Sequence, residues 1–445
     1  MSRIVRHGLF AAIGAALIGG SAAAQLLPGV GLPSLSLPVP VGNVPVAGPV
    51  LQDLLQQPQV QQQVINPTLN SVAGLPQAVA DSGGQTLLEL RRMRLQQLIR
   101  DNRARLEPGE GGQPVRRGIL VAIDPDPASL QLATQAGFRV VADEPNIELA
   151  LHVVQLAVPR GLSAREGLRL IRRAVPQLEA DYDPVFEPAG GSLAPLNAAL
   201  ATAAAAANGR AIGMIDGGVA SNPSLGGASI EQNGFAGRPQ ATGHGTAVAS
   251  LLVGNQGPFH GAATGARLYV ADVYGGNRAA GSATAIVRAL GWLAGKRPQV
   301  INVSLVGSSN RLLERAIRAV QARGIAVVAA VGNDGPAAPP QYPASYPGVV
   351  SVTGVDAKGR ALPEAGRPTH LDFAAPGADM AAALPGKGYA KVRGTSFAAP
   401  LAAARLLLAG SPQRLAAEAR PGKGRVGRGI VCGSCRIDPR SVGAR

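Results

Sequence analysis

From residue 210 onward, short continuous apolar runs alternate with longer stretches of helical spacing. Residues 211–215 read as a buried strand that ends at Asp216, and residues 268–273, 300–305, 325–331 and 349–355 read the same way. Residues 244–252, 282–294, 311–323 and 396–408 carry the spacing of helices. Strands that are apolar throughout and alternate with helices imply a mostly parallel sheet covered by helices on both faces. In such an α/β architecture the reactive groups fall at strand ends and helix starts.

The upstream half follows another pattern. Residues 25–84 are rich in Pro, Leu, Val, Gly and Gln and hold no sustained period, which reads as a flexible leader. Residues 85–106 turn helical, with Leu87, Leu88, Leu90, Met93, Leu95, Leu98 and Ile99 mostly on one face between arginines. Residues 108–112 end that helix with Pro and Gly. A compact unit follows over residues 116–188. Its pattern is strand 118–123, helix 127–136 capped by Asp126, strands 138–141 and 152–156, a helix over 163–174, and a last strand over 179–185. Ser163 and Glu166 form a capping box at the start of the second helix. The order β-α-β-β-α-β describes a small ferredoxin-like α+β unit. Residues 192–208 are an alanine-rich bridge.

Three segments carry candidate chemistry: Asp216-Gly217-Gly218, Gly243-His244-Gly245-Thr246 and Gly394-Thr395-Ser396. A serine hydroxyl stays protonated at neutral pH and is a poor nucleophile. It needs an imidazole to take its proton, and the imidazole needs a carboxylate to fix its tautomer. Ser396 stands at a predicted helix start, where the dipole and its own N–H favour an oxyanion. A fourth segment, residues 327–335, reads as a buried strand breaking into a turn at Gly332-Asn333, where an amide N–H can face a developing oxyanion. Taken singly, each has a plain structural alternative: a helix cap for Ser396, a structural histidine for His244, a turn residue for Asn333.

Together these four segments, in the order Asp, His, Asn, Ser, resemble the signatures of the subtilase family of serine peptidases. The resemblance spans about residues 210–408 and includes residues 261–270 and 300–305 between the motifs. It implies a subtilisin-like three-layer fold and a secreted endopeptidase. Asp216, His244 and Ser396 would be the catalytic triad. Asn333 and the Ser396 N–H would form the oxyanion hole. It also implies that Ser304, Leu305 and Val306 on one side of the cleft, and Ala330 and Gly332 on the other, border the substrate. The unit before the catalytic domain would be a propeptide that assists folding and acts as an intramolecular inhibitor, with its cut between about residues 187 and 208. Two departures stand out. Gly217 replaces a common Thr or Ser, which removes a hydroxyl from the carboxylate and leaves room for a looser triad. Val306 replaces a common Gly, which narrows the pocket and predicts a small or medium apolar residue before the scissile bond.

The N-terminus adds a location. Arg3, Arg6 and His7 precede an apolar run over 9–18 and small residues to Ala24, the pattern of a signal peptide cleaved near residue 24 and too short for a membrane span. Export to the periplasm or beyond is expected. Cys432 and Cys435 are the two cysteines, and in an exported chain they suit a small structural disulfide. The net charge of +15 raises the question of nucleic acid, but the arginines are scattered and aromatics are 3%, so a basic solvated surface is the better reading. Acidic residues are sparse in the catalytic region, so no calcium site, other metal or cofactor is expected. The expected organisation is signal peptide 1–24, leader 25–84, propeptide-like region 85–190, linker 191–209, catalytic domain 210–411 and basic tail 412–445, acting as a monomer on protein or peptide substrates. A catalytically silent scaffold on the same fold is the main alternative. An α/β-hydrolase is weaker, since Gly-x-Ser-x-Gly is missing.

Overall fold

The computed structural model describes residues 77–190, 193–194, 207–386 and 388–444, with side chains from residue 85 except at residues 193–194. The signal peptide and nearly all of the leader lie outside the described residues. The first described element, α1 (Gln77–Asp101), starts eight residues before the predicted helix, inside the stretch that composition assigns to the leader.

An antiparallel sheet follows, built from β1 (Leu106–Pro108), β2 (Pro114–Ile123), β3 (Arg139–Asn146), β4 (Leu151–Ala157) and β5 (Ala180–Pro184). The main strands lie in the order β3-β4-β2-β5, with β1 also on β2. Helices α2 (Pro127–Gln135) and α3 (Ala164–Ala174) cover one face, where Leu120, Phe138, Leu156, Leu168 and Ile171 pack together. Asp126 caps α2, and Ser163 with Glu166 forms a reciprocal capping box on α3. The sequence expectation of a ferredoxin-like unit matches this arrangement element for element.

Two short strands follow, β6 (Glu187–Pro188) and β7 (Leu193–Ala194). The large sheet then begins with β8 (Ala211–Asp216) and β9 (Ile230–Gly234). Helix α4 (Gly243–Val253) leads into the hairpin β10 (Asn255–Gln256) and β11 (Phe259–His260). Next come β12 (Arg267–Asp272), α5 (Ala283–Lys296), β13 (Val300–Val303) and β14 (Leu305–Val306). Then come α6 (Arg311–Ala322), β15 (Ala326–Ala330), β16 (Val350–Val355) and β17 (Phe373–Pro376). The chain ends with β18 (Met380–Ala383), β19 (Tyr389–Val392), α7 (Thr395–Ala409) and α8 (Pro412–Glu418).

Seven strands form one parallel sheet in the order β17-β16-β15-β13-β8-β12-β9. Helices α4 and α7 pack on one face and are buried on nearly every side, as their Ala-, Val- and Leu-rich sequences demand. Helices α5 and α6 cover the other face through Ile286, Leu290, Leu293, Leu313 and Ile317. Strand β8 lies between β12 and β13, where successive connections leave in opposite directions. Parallel sheets open a crevice at the carboxyl ends of the strands at such a point.

The N-terminal unit and the large sheet share a core. Val121, Ile123, Leu151 and Val153 pack in one cluster with Ile286, Leu290, Leu313 and Ile317. Two carboxylates of the N-terminal unit cap the helices they face. Asp183, fully buried, accepts from the Thr284 N–H at 3.0 Å and the Thr284 hydroxyl at 2.8 Å at the start of α5. Asp181 accepts from the Arg311 N–H at 3.1 Å and from Asn310 Nδ2 at 3.1 Å at the start of α6. Each contact satisfies helix-start donors that have no partner within the helix. Burial pushes the Asp181 carboxyl above its ordinary value.

The boundary expected at residue 411 does not interrupt the packing. Leu415, Val431, Cys432, Ile437 and Ala444 belong to the core cluster that holds α4 and α7. Within the tail Ile430 bridges Ala374 and Arg420. The tail thus covers the β17 edge of the sheet. Cys432 and Cys435 are joined by a disulfide. The loop it closes is short, with a sequence separation of 3. Replacing both cysteines by serine is expected to cost about 2 kcal/mol of stability on the chain-entropy account. Urea unfolding of the oxidised protein against the double variant measures this. A loss below about 0.5 kcal/mol would show that packing of the tail, not the bridge, holds the edge.

Candidate active site

Three strand ends and two helix starts meet at the crevice. Asp216 is the last residue of β8 and is fully buried. Its Oδ1 accepts the Gly217 N–H at 2.7 Å, and both carboxylate oxygens lie 2.9 Å from His244 Nδ1. His244 is held in the first turn of α4, whose cap is Thr242 Oγ1 accepting from the Gly245 N–H at 2.9 Å. A Cβ on Gly217 would lie 2.5 Å from Thr242 Oγ1, so the space of the missing residue-217 side chain is taken by the helix cap. The Asp216–His244 contact is close, with the Gly217 N–H fixing the carboxylate, so the looseness that Gly217 suggested does not fall on this pair.

Ser396 is fully buried in the first turn of α7. Gly394 before it has φ +144°, a conformation that side chains rarely adopt, and this lets the chain turn sharply into the helix. The Phe397 ring sits 5.4 Å from the His244 ring, which brings the start of α7 against α4. His244 Nε2 and Ser396 Oγ are both buried, and neither has a hydrogen-bond partner among the described residues. Such contacts are often long until a reacting group arrives. Ser304 Oγ, held by Asn302 Nδ2 at 3.0 Å, donates to the Ser396 carbonyl at 2.9 Å and ties β13 to the helix.

Asn333 follows the carboxyl end of β15. Its Oδ1 accepts the Thr395 N–H at 3.0 Å, and Thr395 Oγ1 accepts the Gly332 N–H at 3.1 Å. With Oδ1 so engaged, Nδ2 faces the crevice. It donates to the carbonyls of Ala189 and Gly190.

The chain's own segment therefore crosses the site. Glu187 and Pro188 of β6 pair antiparallel with Val306 and Leu305 of β14. The Ala189 N–H donates to the Ser304 carbonyl at 2.8 Å. The Phe186 N–H donates to the Gly281 carbonyl at 2.8 Å, and Tyr274 donates its hydroxyl to the Phe186 carbonyl at 3.2 Å. Burial, then the nearby Asp216 charge, pushes the Tyr274 phenol well above its ordinary value, so it stays a donor. The Phe186 ring is fully buried against Gly307, where a Cβ would come within 2.5 Å of it. Past the site, β7 pairs antiparallel with β19, the strand leading to Gly394.

The pocket residues divide by role. Ser304, Leu305 and Val306 contact the segment through backbone. Gly332 lies against Gln341 and Val306, whose Oε1 and Cγ1 would be 2.7 and 3.4 Å from a Cβ there. Ala330 is fully buried, in the same apolar cluster as Val306 and Ala189. Thr242, Tyr274 and Gln341 are contributors that sequence reasoning missed, and Thr395 was named in its motif without a role. Only the helix-cap position of Thr242 carries a local signal. Among the described residues no group of His, Cys, Asp and Glu side chains is placed to hold a metal ion. No described helix is long and apolar enough to cross a membrane.

A profile of the Subtilase family matches residues 207–416. Subtilisin Savinase of Lederbergia lenta is 34% identical over 195 residues, which are 42% of this chain and 71% of that protein. Subtilisin DY of Bacillus licheniformis is 33% identical over 221 residues, 47% of this chain and 80% of that protein. The alkaline protease of Alkalihalobacillus alcalophilus is 34% identical over 195 residues, but the match spans only 50% of its length. Among solved structures, fervidolysin from Fervidobacterium pennivorans, a keratinolytic enzyme related to subtilisin, superposes with a TM-score of 0.63 at 18% identity. That match covers 74% of this chain and 62% of that one, and bears on fold alone.

Proposed function

This chain belongs to the subtilase family and is a serine-type endopeptidase, and from that premise we propose that it is made as an exported zymogen that cuts itself between Ala189 and Gly190. Residues 1–24 act as the export signal, and the N-terminal α+β unit acts as the propeptide. The observation that carries the reading is the cleft segment. Ala189 gives its N–H to Ser304 while its carbonyl accepts from Asn333, as the residue before a cut bond would. Ala189 is 1% exposed and Gly190 is exposed, which favours Ala189 as the residue held in the pocket.

In the proposed reaction Ser396 Oγ attacks the carbonyl carbon and His244 Nε2 takes its proton. Asp216 holds the other imidazole nitrogen and stabilises the cation that forms. The oxyanion is held by Asn333 Nδ2 and the Ser396 N–H. The bond to the leaving amine breaks as His244 returns the proton to it. Water then attacks the acyl-enzyme with His244 as base and frees the acid and Ser396. Peptide substrates in trans take the course of residues 186–189, with a small residue before the cut and an apolar one three positions earlier. Full burial of a side chain such as Phe186 contributes roughly 1.5–3 kcal/mol.

Labelling with a fluorophosphonate probe, beside a Ser396→Ala control, tests this function. Labelling of a shortened chain that vanishes in the control is expected. A folded, shortened chain that takes no label would support the silent scaffold instead. Pocket size has its own test. Val306→Gly is expected to raise kcat/KM for Phe before the cut at least about tenfold relative to Ala. A peptide series with Ala, Leu and Phe at that position measures it, and an unchanged ranking would mean that Val306 does not set the pocket.

A further inference from the structure

Helix α1 precedes the α+β unit and takes no part in its sheet, yet it reaches the wall of the cleft. Its C-terminal half is anchored, with Leu98 and Ile99 packing on Leu106 and Val185. Its middle carries two arginines one turn apart. Arg91, 8% exposed, places Nε 2.9 Å from Asp334 Oδ2 and Nη2 3.2 Å from Gln113 Oε1. Arg94 places Nη2 2.9 Å from Asp334 Oδ1 and Nε 3.2 Å from Glu187 Oε2. Leu87 lies against Gly335, where a Cβ would be 2.9 Å from Leu87 Cδ1.

The two carboxylates belong to opposite partners. Asp334 is the residue after Asn333 and is 6% exposed; Glu187 lies in the cleft strand and is 5% exposed. A buried carboxylate that loses its cation is costly. Without α1, among the described residues Asp334 keeps Gln341 Nε2 and Glu187 keeps Arg278, 3.5 Å away on an exposed side chain. The Arg94 guanidinium thus bridges the catalytic domain and the strand in its cleft. Burial alone would raise the Asp334 carboxyl, but Arg94, with Gln341 and Arg91, holds it below its ordinary value.

We propose that Asp334 and Gly335 form a docking site for a cationic helix beside the cleft, and that α1 occupies it as a latch, with Arg91 and Arg94 as positioning residues that hold the cleft strand through Glu187. The proposal rests on the zymogen reading for its consequence. Cutting after Ala189 leaves residues 77–189 attached through the shared core and the Asp181 and Asp183 caps, and the latch in addition keeps the cleft strand seated after the cut. Activity appears only when the latch is released or digested.

The test uses the full chain in a Ser396→Ala background, where self-cleavage plays no part. Hydrogen exchange at the Phe186 and Ala189 amides is expected to quicken about 10- to 100-fold in Arg91→Gln/Arg94→Gln. Exchange at the Val121 and Val154 amides of the N-terminal sheet should keep its rate, and Arg91→Lys/Arg94→Lys should retain part of the protection. Unchanged exchange at Phe186 and Ala189 would overturn the latch. In the active protein the glutamine pair should shorten the lag between the cut and peptide hydrolysis. Final kcat/KM should be equal, because both substituted residues leave with the N-terminal fragment. An equal lag would likewise overturn it. Failure of the cut itself would strike at the zymogen reading, and the exchange result would still decide the latch.

Discussion

Asp216→Asn is expected to lower kcat/KM by about 10⁴, the size of loss this change causes in another serine-protease triad. The cause is the tautomer. Asp216 Oδ1 already accepts the Gly217 N–H at 2.7 Å. An asparagine must keep its carbonyl oxygen toward that donor, which turns its NH₂ toward His244 Nδ1. The imidazole proton then moves to Nε2, and the nitrogen that should take the proton of Ser396 becomes a donor. The substitution keeps the volume of a fully buried side chain, so folding should survive. Rates on one peptide, with thermal unfolding as the check on folding, measure it. A loss below about 100-fold in a folded protein would mean that Asp216 does not set the tautomer.

Asn333→Ala should cost about 10²–10³ in kcat with little change in KM. That range, about 2.7–4 kcal/mol, is the one found for an oxyanion-hole asparagine in a subtilisin. Asn333 is oriented before any substrate arrives, since Thr395 fixes Oδ1 and Gly332 fixes Thr395. A donor held in this way needs no reorganisation as charge develops. The same amide faces the Ala189 carbonyl, so the half-time for loss of the full-length chain should lengthen by the same factor as turnover. Steady-state kinetics and a time course of the intact mass measure the two effects. A loss that fell on KM instead would assign Asn333 to ground-state binding.

What could be read from the sequence follows the range of the forces involved. Strands β8, β12, β13, β15 and β16 are apolar on both faces and stand out as runs, and α4 and α7 begin at glycine-flanked motifs. Strand β9, Ile-Glu-Gln-Asn-Gly at the sheet edge, is partly exposed and has no such signal. Strand β18, Met-Ala-Ala-Ala, is rich in alanine, which marks neither period. The start of α1 was hidden because Gly83 and Gly84 argue against a helix, yet the helix runs through both. At the site, Asp216, His244, Asn333 and Ser396 were legible through short motifs. Tyr274 and the Arg91–Asp334 contact were not, because residues 243 positions apart meet only in the folded chain. Apart from its disulfide, the packing of the tail beyond residue 412 was unreadable for the same reason: its apolar residues are isolated in sequence and join one core only in three dimensions.

The most direct test of the account is the N-terminal residue of the shortened chain, read by intact-mass and N-terminal analysis of the wild-type protein and of Ser396→Ala. The account predicts a chain that begins at Gly190 in the wild type and an uncut bond after Ala189 in the variant. A wild-type chain that begins elsewhere, or the same cut in Ser396→Ala, would contradict the claim that this cleft holds its own first substrate.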